Sequence, residues 1–189
     1  MRSKGWRDPP RGLLIAAAAA VTLLPLFHKV CSYDVWFHLR AGEWLLAGGG
    51  FPAEDPFSFT ANARWINLSW LFQIPLALAH RVGAAAGITV LNAILLLGMM
   101  ALIIRRALRA GVALESAILL VALATLASAQ RLLVRPESLS LLFLVLAIWL
   151  AEGALRGRTR RLWAFPALQL LWVNSEALFP LGLGVLGAA

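Results

Sequence analysis

Long apolar runs alternate with short polar connectors along this chain, and the runs near 13–30, 88–104, 112–130, 138–152, 162–174 and 177–189 are each predicted to be a membrane helix. Residues 68–78 are the exception. That stretch falls far short of the ~20 residues a crossing takes, is broken by Gln73 and Pro75, and ends at His80 and Arg81. It is predicted to lie along the interface. The fold class is therefore all-α: a polytopic membrane helical bundle whose first external loop, 31–87, is long and carries short interfacial helices. Residues 1–189 read as one transmembrane domain. The apolar pattern runs on to Ala189 without a basic anchor, so the chain is expected to be incomplete at its C-terminus.

Composition agrees with the pattern. The chain is 61% hydrophobic and 14% charged, against about 25% charged in an ordinary soluble domain, which excludes that class. The net charge of +8 comes without any basic-aromatic recognition stretch, so nucleic acid is not an expected partner. Topology explains the charge instead. If 68–78 does not cross, Arg2, Lys4, Arg7, Arg11 and the clusters at 105–109 and 156–161 place eleven of the seventeen basic residues on one side. If it crosses, that side holds only seven. Basic residues collect in cytoplasmic loops, so the first arrangement is preferred, with the N-terminus cytoplasmic. The connectors at 131–137 and 174–176 then open on the same outer face as loop 31–87.

The basic start and first apolar run resemble a signal sequence. His28, Lys29 and Val30, ahead of the lone Cys31, lack the small side chains that a cleavage site needs, so the run is read as a retained membrane helix.

The richest stretch for chemistry runs from Tyr33 to Leu46 and ends at Gly48-Gly49-Gly50. It predicts a short amphipathic helix stopped by glycine. Asp34, His38, Ala41 and Leu45 fall on one face, which puts a carboxylate beside an imidazole directly after the first membrane helix. A partly desolvated carboxylate there can serve as a general base; the alternative is that Asp34 caps the helix and His38 is solvated. Glu54 and Asp55 form a carboxylate pair ahead of Pro56, a candidate for a divalent metal ion or simply a solvated turn. Asn67 and Trp70 flank the start of the interfacial helix. Arg131 and Arg135, four apart, are candidates to clamp a phosphate, with snorkelling to the interface as the alternative. Glu137 follows in the first turn of the next helix, where its charge suits the dipole. Asn174 and Glu176 interrupt an apolar run where polar residues tend to line sites, with a short external turn as the alternative. The chain has no nucleotide-binding glycine loop, no zinc spacing and no nucleophile elbow. No cofactor beyond a possible metal ion is indicated.

These stretches stand in a familiar order: a first membrane helix, an Asp-x-x-x-His helix ending in Gly and Pro, Asp55-Pro56-Phe57-Ser58-Phe59-Thr60, Asn67 to Leu71, Arg135-Pro136, and Trp172-Val173-Asn174. Together they resemble the GT-C superfamily of membrane glycosyltransferases, nearest to bacterial members related to protein mannosyltransferases and lipid A sugar transferases. The resemblance implies an integral protein of the bacterial inner membrane, with the lipid bilayer, a polyprenyl-phosphate-linked sugar donor and an unknown acceptor as partners. It implies transfer on the extracytoplasmic side, with Asp34 as catalytic base, His38 beside it, and Arg131 or Arg135 on the donor phosphate. The remaining substrate contacts would come from Asn67, Trp70, Glu137, Asn174 and Glu176. Two departures stand out: Asp34-Val35 where many relatives carry Asp-Glu, and Glu176-Ala177 where many carry His-Gly. Such enzymes have about twice as many membrane helices, so the resemblance is to their N-terminal part. The rival reading is a non-enzymatic multi-pass membrane protein, a transporter subunit or assembly factor, whose outer polar residues only hold loops together.

Overall fold

In the computed structural model the chain is described over residues 11–23, 32–57 and 65–189, and those residues are all-helical, without a strand. Residues 24–31 and 58–64, with the second half of the first expected membrane helix, Cys31 and part of the Asp55–Thr60 motif, lie outside the described residues, as do residues 1–10. The helices are α1 (Arg11–Leu23), α2 (Asp34–Leu46), α3 (Trp70–Arg109), α4 (Leu114–Ala127), α5 (Glu137–Leu155), α6 (Phe165–Val173) and α7 (Pro180–Gly187).

The expected interfacial helix and the membrane helix after it form one element, α3, broken in the middle. Its backbone leaves helical geometry at Gly83 and at Ala84, whose φ is 48°. The first arm, 70–82, is about 20 Å long at 1.5 Å per residue, too short to cross a hydrocarbon core of about 30 Å. The second arm, 85–109, is long enough. Among the described residues, α3 and α5 are the two helices long and apolar enough to cross a membrane, and only 33% and 39% of their most apolar windows are buried. Most of that apolar surface faces outward. The other runs fold into shorter helices than their hydropathy suggests: the polar Asn174-Ser175 turn ends α6, and a 3-10 segment, Thr159–Ala164, takes up the run's start.

Three apolar clusters hold the helices together. Ala93, Leu96, Met99 and Met100 of α3 pack against Val121 of α4. Phe143, Ala147 and Leu150 of α5 pack against Phe165, Leu168 and Trp172 of α6. The third lies where α2 meets α3: Val35 and Leu39 of α2 pack on Phe72 and Leu76 of the first α3 arm, Ile88 of the second arm, and Val134. Val35, Leu39 and Gly42 recur at helical spacing and form the stripe by which α2 sits on α3. Gly42 is where the two backbones come closest. A Cβ there would overlap the Gln73 carbonyl, with the carbonyl carbon at 2.8 Å. α2 ends as its glycine run predicts, with Gly48 at φ 85°.

The second arm of α3 and α5 run parallel. Asn92 reaches Ser138 near the start of α5, while Arg106 pairs with Glu152 near its end. The connectors at 131–137 and 174–176 therefore share one end of the bundle with α2. The arginines at 105–109 and 156–161 gather at the other.

Candidate active site

α2 lies across the end of the bundle where α3 begins, α5 begins and α6 ends, and this brings together most of the singled-out polar residues. Asp34 is the first residue of α2; the N-cap position belongs to Tyr33, and no side chain caps the helix. Its carboxylate, 61% exposed, instead faces Arg135, with Oδ2 at 3.8 Å from Nε. Arg135 Nε also donates to Ser32 Oγ at 3.1 Å. A carboxylate and a guanidinium thus stand side by side, with the carboxylate open to solvent.

One turn along α2, His38 is half-buried between Phe37 and Phe72. Its Nδ1 lies 3.2 Å from Gln73 Nε2, and Gln73 Oε1 accepts from Asn67 Nδ2 at 2.6 Å. That chain orients the Gln73 amide so that its N–H₂ donates to the ring. Nδ1 is then an acceptor, and the ring proton sits on Nε2. Burial pushes the His38 imidazole below its ordinary value of 6.5, while the carboxylates of Asp34 and Glu176 pull it the other way. The ring is neutral at pH 7. With Nδ1 engaged by Gln73, His38 is left with Nε2–H as a positioned hydrogen-bond donor.

The unfolded chain binds this proton more tightly than the folded one, so its stabilising contribution is present above pH 6.5 and is lost as the pH falls through the folded value. We expect the wild type to lose stability between pH 6.5 and pH 5 more steeply than His38→Asn. Unfolding curves in detergent over that range would show it, and parallel curves would refute it.

Asn174 joins α6 to the start of α3. Its Oδ1 accepts from Trp70 Nε1 at 2.8 Å, its carbonyl accepts from the Leu71 N–H at 3.0 Å, and its Nδ2 donates to Leu170 O at 2.8 Å. Its amide and the Trp70 indole N–H are thus occupied in holding the fold. Glu176 acts on His38 instead: Oε2 accepts from Ser140 Oγ at 3.0 Å and from the Leu178 N–H at 2.7 Å, and its charge reaches the His38 ring. Glu137 is half-buried in the first turn of α5, as predicted, and its side chain makes no hydrogen bond to the described residues.

The paired-arginine expectation is corrected here. Arg131 is exposed and makes no ion pair with the described residues, whereas Arg135 is in the site. Residues 129–131 form a 3-10 turn and 132–136 follow an irregular path. A spacing of four sets two side chains side by side on an α-helix, and this irregular path does not have that geometry. Glu54 and Asp55 are not drawn into a metal cage either: Asp55 Oδ1 accepts from the Phe57 N–H at 2.9 Å, which closes a local turn. Among the described residues no group of three or more His, Cys, Asp or Glu side chains could hold a metal ion.

Gln73, Ser140 and Ser32 are the residues that sequence reasoning missed. Gln73 is 1% exposed and links His38 to Asn67; its signal was a lone amide inside an apolar run. Compared with the profiles of known protein families, with curated proteins and with solved structures, the chain matches none.

Proposed function

We propose that this chain is a polytopic membrane protein that transfers a sugar from a polyprenyl-phosphate donor to an acceptor hydroxyl on the extracytoplasmic side. The observation that carries the reading is the Asp34–Arg135 pair at 3.8 Å, with His38 and Glu176 close enough to act on each other's charge. Glycosyl transfer from a lipid phosphate needs a base for the acceptor and a cation for the departing phosphate, and this pair holds both. A donor phosphate that takes the Arg135 guanidinium releases Asp34. The Asp34 carboxylate removes the acceptor proton, the acceptor oxygen attacks the anomeric carbon, and the bond to the phosphate oxygen breaks. Arg135 holds the charge that develops on the lipid phosphate. The resemblance to GT-C enzymes supplies the substrate class.

Membrane placement is supported by the outward-facing apolar surface of α3 and α5 and by the separation of the arginine clusters from the Asp34 site along the length of α5. Single cysteines at Ala53, Gln130 and Ala177, all exposed, are expected to react with an impermeant reagent added outside intact cells. Cysteines at Ala110 and Thr159 are expected to react only after permeabilisation. Labelling of the second pair from outside would place the site in the cytoplasm and refute the topology. In membranes that contain the protein, a radiolabelled polyprenyl-phosphate sugar is expected to lose its sugar to an acceptor. Transfer no greater than in membranes without it gives the lead to the non-enzymatic reading.

A further inference from the structure

At the end of the bundle away from Asp34, α3 and α5 finish side by side and the 3-10 segment after α5 closes over them. Between them lies a cleft of ≈580 Å³ lined by Arg106, Arg109, Arg156, Arg158 and Arg161, with Glu152 as its one carboxylate. Two of the five cations are fixed. Arg106 holds Glu152 through two hydrogen bonds, the Nε one at 2.8 Å. Arg161 lies over the Trp149 ring, 4.5 Å from its centroid, in room left by Gly153, where a Cβ would come within 3.1 Å of Arg161 Cδ.

Arg109, Arg156 and Arg158 are exposed and have no ion-pair partner among the described residues. Helix C-termini contribute about half a negative charge each. With Glu152 and the ends of α3 and α5 counted, the cleft still holds about three uncompensated positive charges. That excess calls for an anion.

The cleft also has an apolar continuation. A groove of ≈380 Å³ shares Arg106, Arg109, Trp149 and Arg161 with it, takes in Arg105, and runs on to the half-buried Leu102, Val145 and Leu146 of α3 and α5. A free phosphate would use only the charged end. A molecule with a charged phosphodiester and a hydrocarbon chain uses both.

We propose that this cleft is a binding site for an anionic phospholipid of the leaflet opposite the catalytic face, its headgroup among the arginines and an acyl chain in the groove. The proposal rests on the membrane reading above but on no part of the transfer chemistry. It goes beyond the general attraction of basic loops to anionic membranes, because the site is built from two helix ends and a stacked Arg–Trp pair.

The test is lipid retention by the detergent-solubilised full chain, read by native mass spectrometry after mixing with phosphatidylglycerol and phosphatidylcholine in equal amounts. Phosphatidylglycerol is expected to be retained about tenfold over phosphatidylcholine, and R109Q/R156Q/R158Q to remove that preference. These three side chains are exposed, so the variant keeps the fold. An unchanged preference in the triple variant would overturn the site. Release of the lipid by excess inorganic phosphate would assign the cleft to a soluble anion and overturn the lipid as occupant. Alkaline carbonate extraction separates this failure from that of the underlying reading. A chain that leaves the membrane with carbonate refutes the membrane placement itself, whereas one that stays but shows no lipid preference refutes only the site.

Discussion

Asp34→Asn is expected to lower sugar transfer by about 10²–10⁴-fold, the span that a positioned general base contributes, while the protein accumulates in the membrane at its normal level. The amide has nearly the shape of the carboxylate but cannot take a proton. It also removes the charge facing Arg135 at 3.8 Å. An ion pair this open to water is worth about 0–1 kcal/mol, and Asp34 neither caps α2 nor contributes to the core. Folding should therefore survive, and any loss of rate reports on chemistry. The measurement is the initial rate of transfer from a saturating polyprenyl-phosphate sugar, normalised to protein in the membrane. If Asp34→Asn keeps wild-type transfer, Asp34 is not the base and the proposed mechanism fails at its first step. Arg135→Gln serves as its counterpart: it leaves the base in place and removes the cation, so a rate loss there points to the leaving phosphate.

How much of this was legible in the sequence depends on how local the signal is. The α2 helix, its glycine stop and the adjacency of Asp34 to His38 all follow from spacing within one element, and the structure has each of them. The sorting of the arginine clusters to one end followed from counting alternate connectors, which works because consecutive helices reverse direction. Expectations that assumed regular geometry across a connector failed. Arg131 and Arg135 would share a face on a helix, but the chain between them is not one. Contacts between distant segments were out of reach. Nothing near Gln73 announces that α2 will approach its backbone at Gly42 and set its amide against His38. Likewise, Asn174 reads as a polar interruption and turns out to hold Trp70 and Leu71 across the bundle. Such partners are fixed by packing between elements, which one-dimensional periodicity does not encode.

Trp172 shows how that packing supports the site, and Trp172→Ala is expected to carry the largest stability cost in the molecule. The indole is fully buried in the α5–α6 cluster, with Phe143 at 5.9 Å between ring centroids. Truncating a buried aromatic to Ala costs about 3–5 kcal/mol. Its Nε1 also donates to Ser140 Oγ at 2.8 Å, and Ser140 Oγ donates in turn to Glu176 Oε2 at 3.0 Å. The ring therefore fixes the hydroxyl that fixes the carboxylate facing His38. Trp172→Phe separates the two contributions. It keeps most of the aromatic volume and loses the donor, at a cost of about 1 kcal/mol. Unfolding midpoints in mixed detergent micelles should fall far more for Trp172→Ala than for Trp172→Phe. In Trp172→Phe, Ser140 loses its donor while Glu176 keeps its bond to the Leu178 N–H at 2.7 Å, so the carboxylate stays anchored at one point and transfer should fall only modestly. Equal destabilisation by the two variants would mean that the hydrogen-bonded relay, rather than the packed ring, holds α6 against α5.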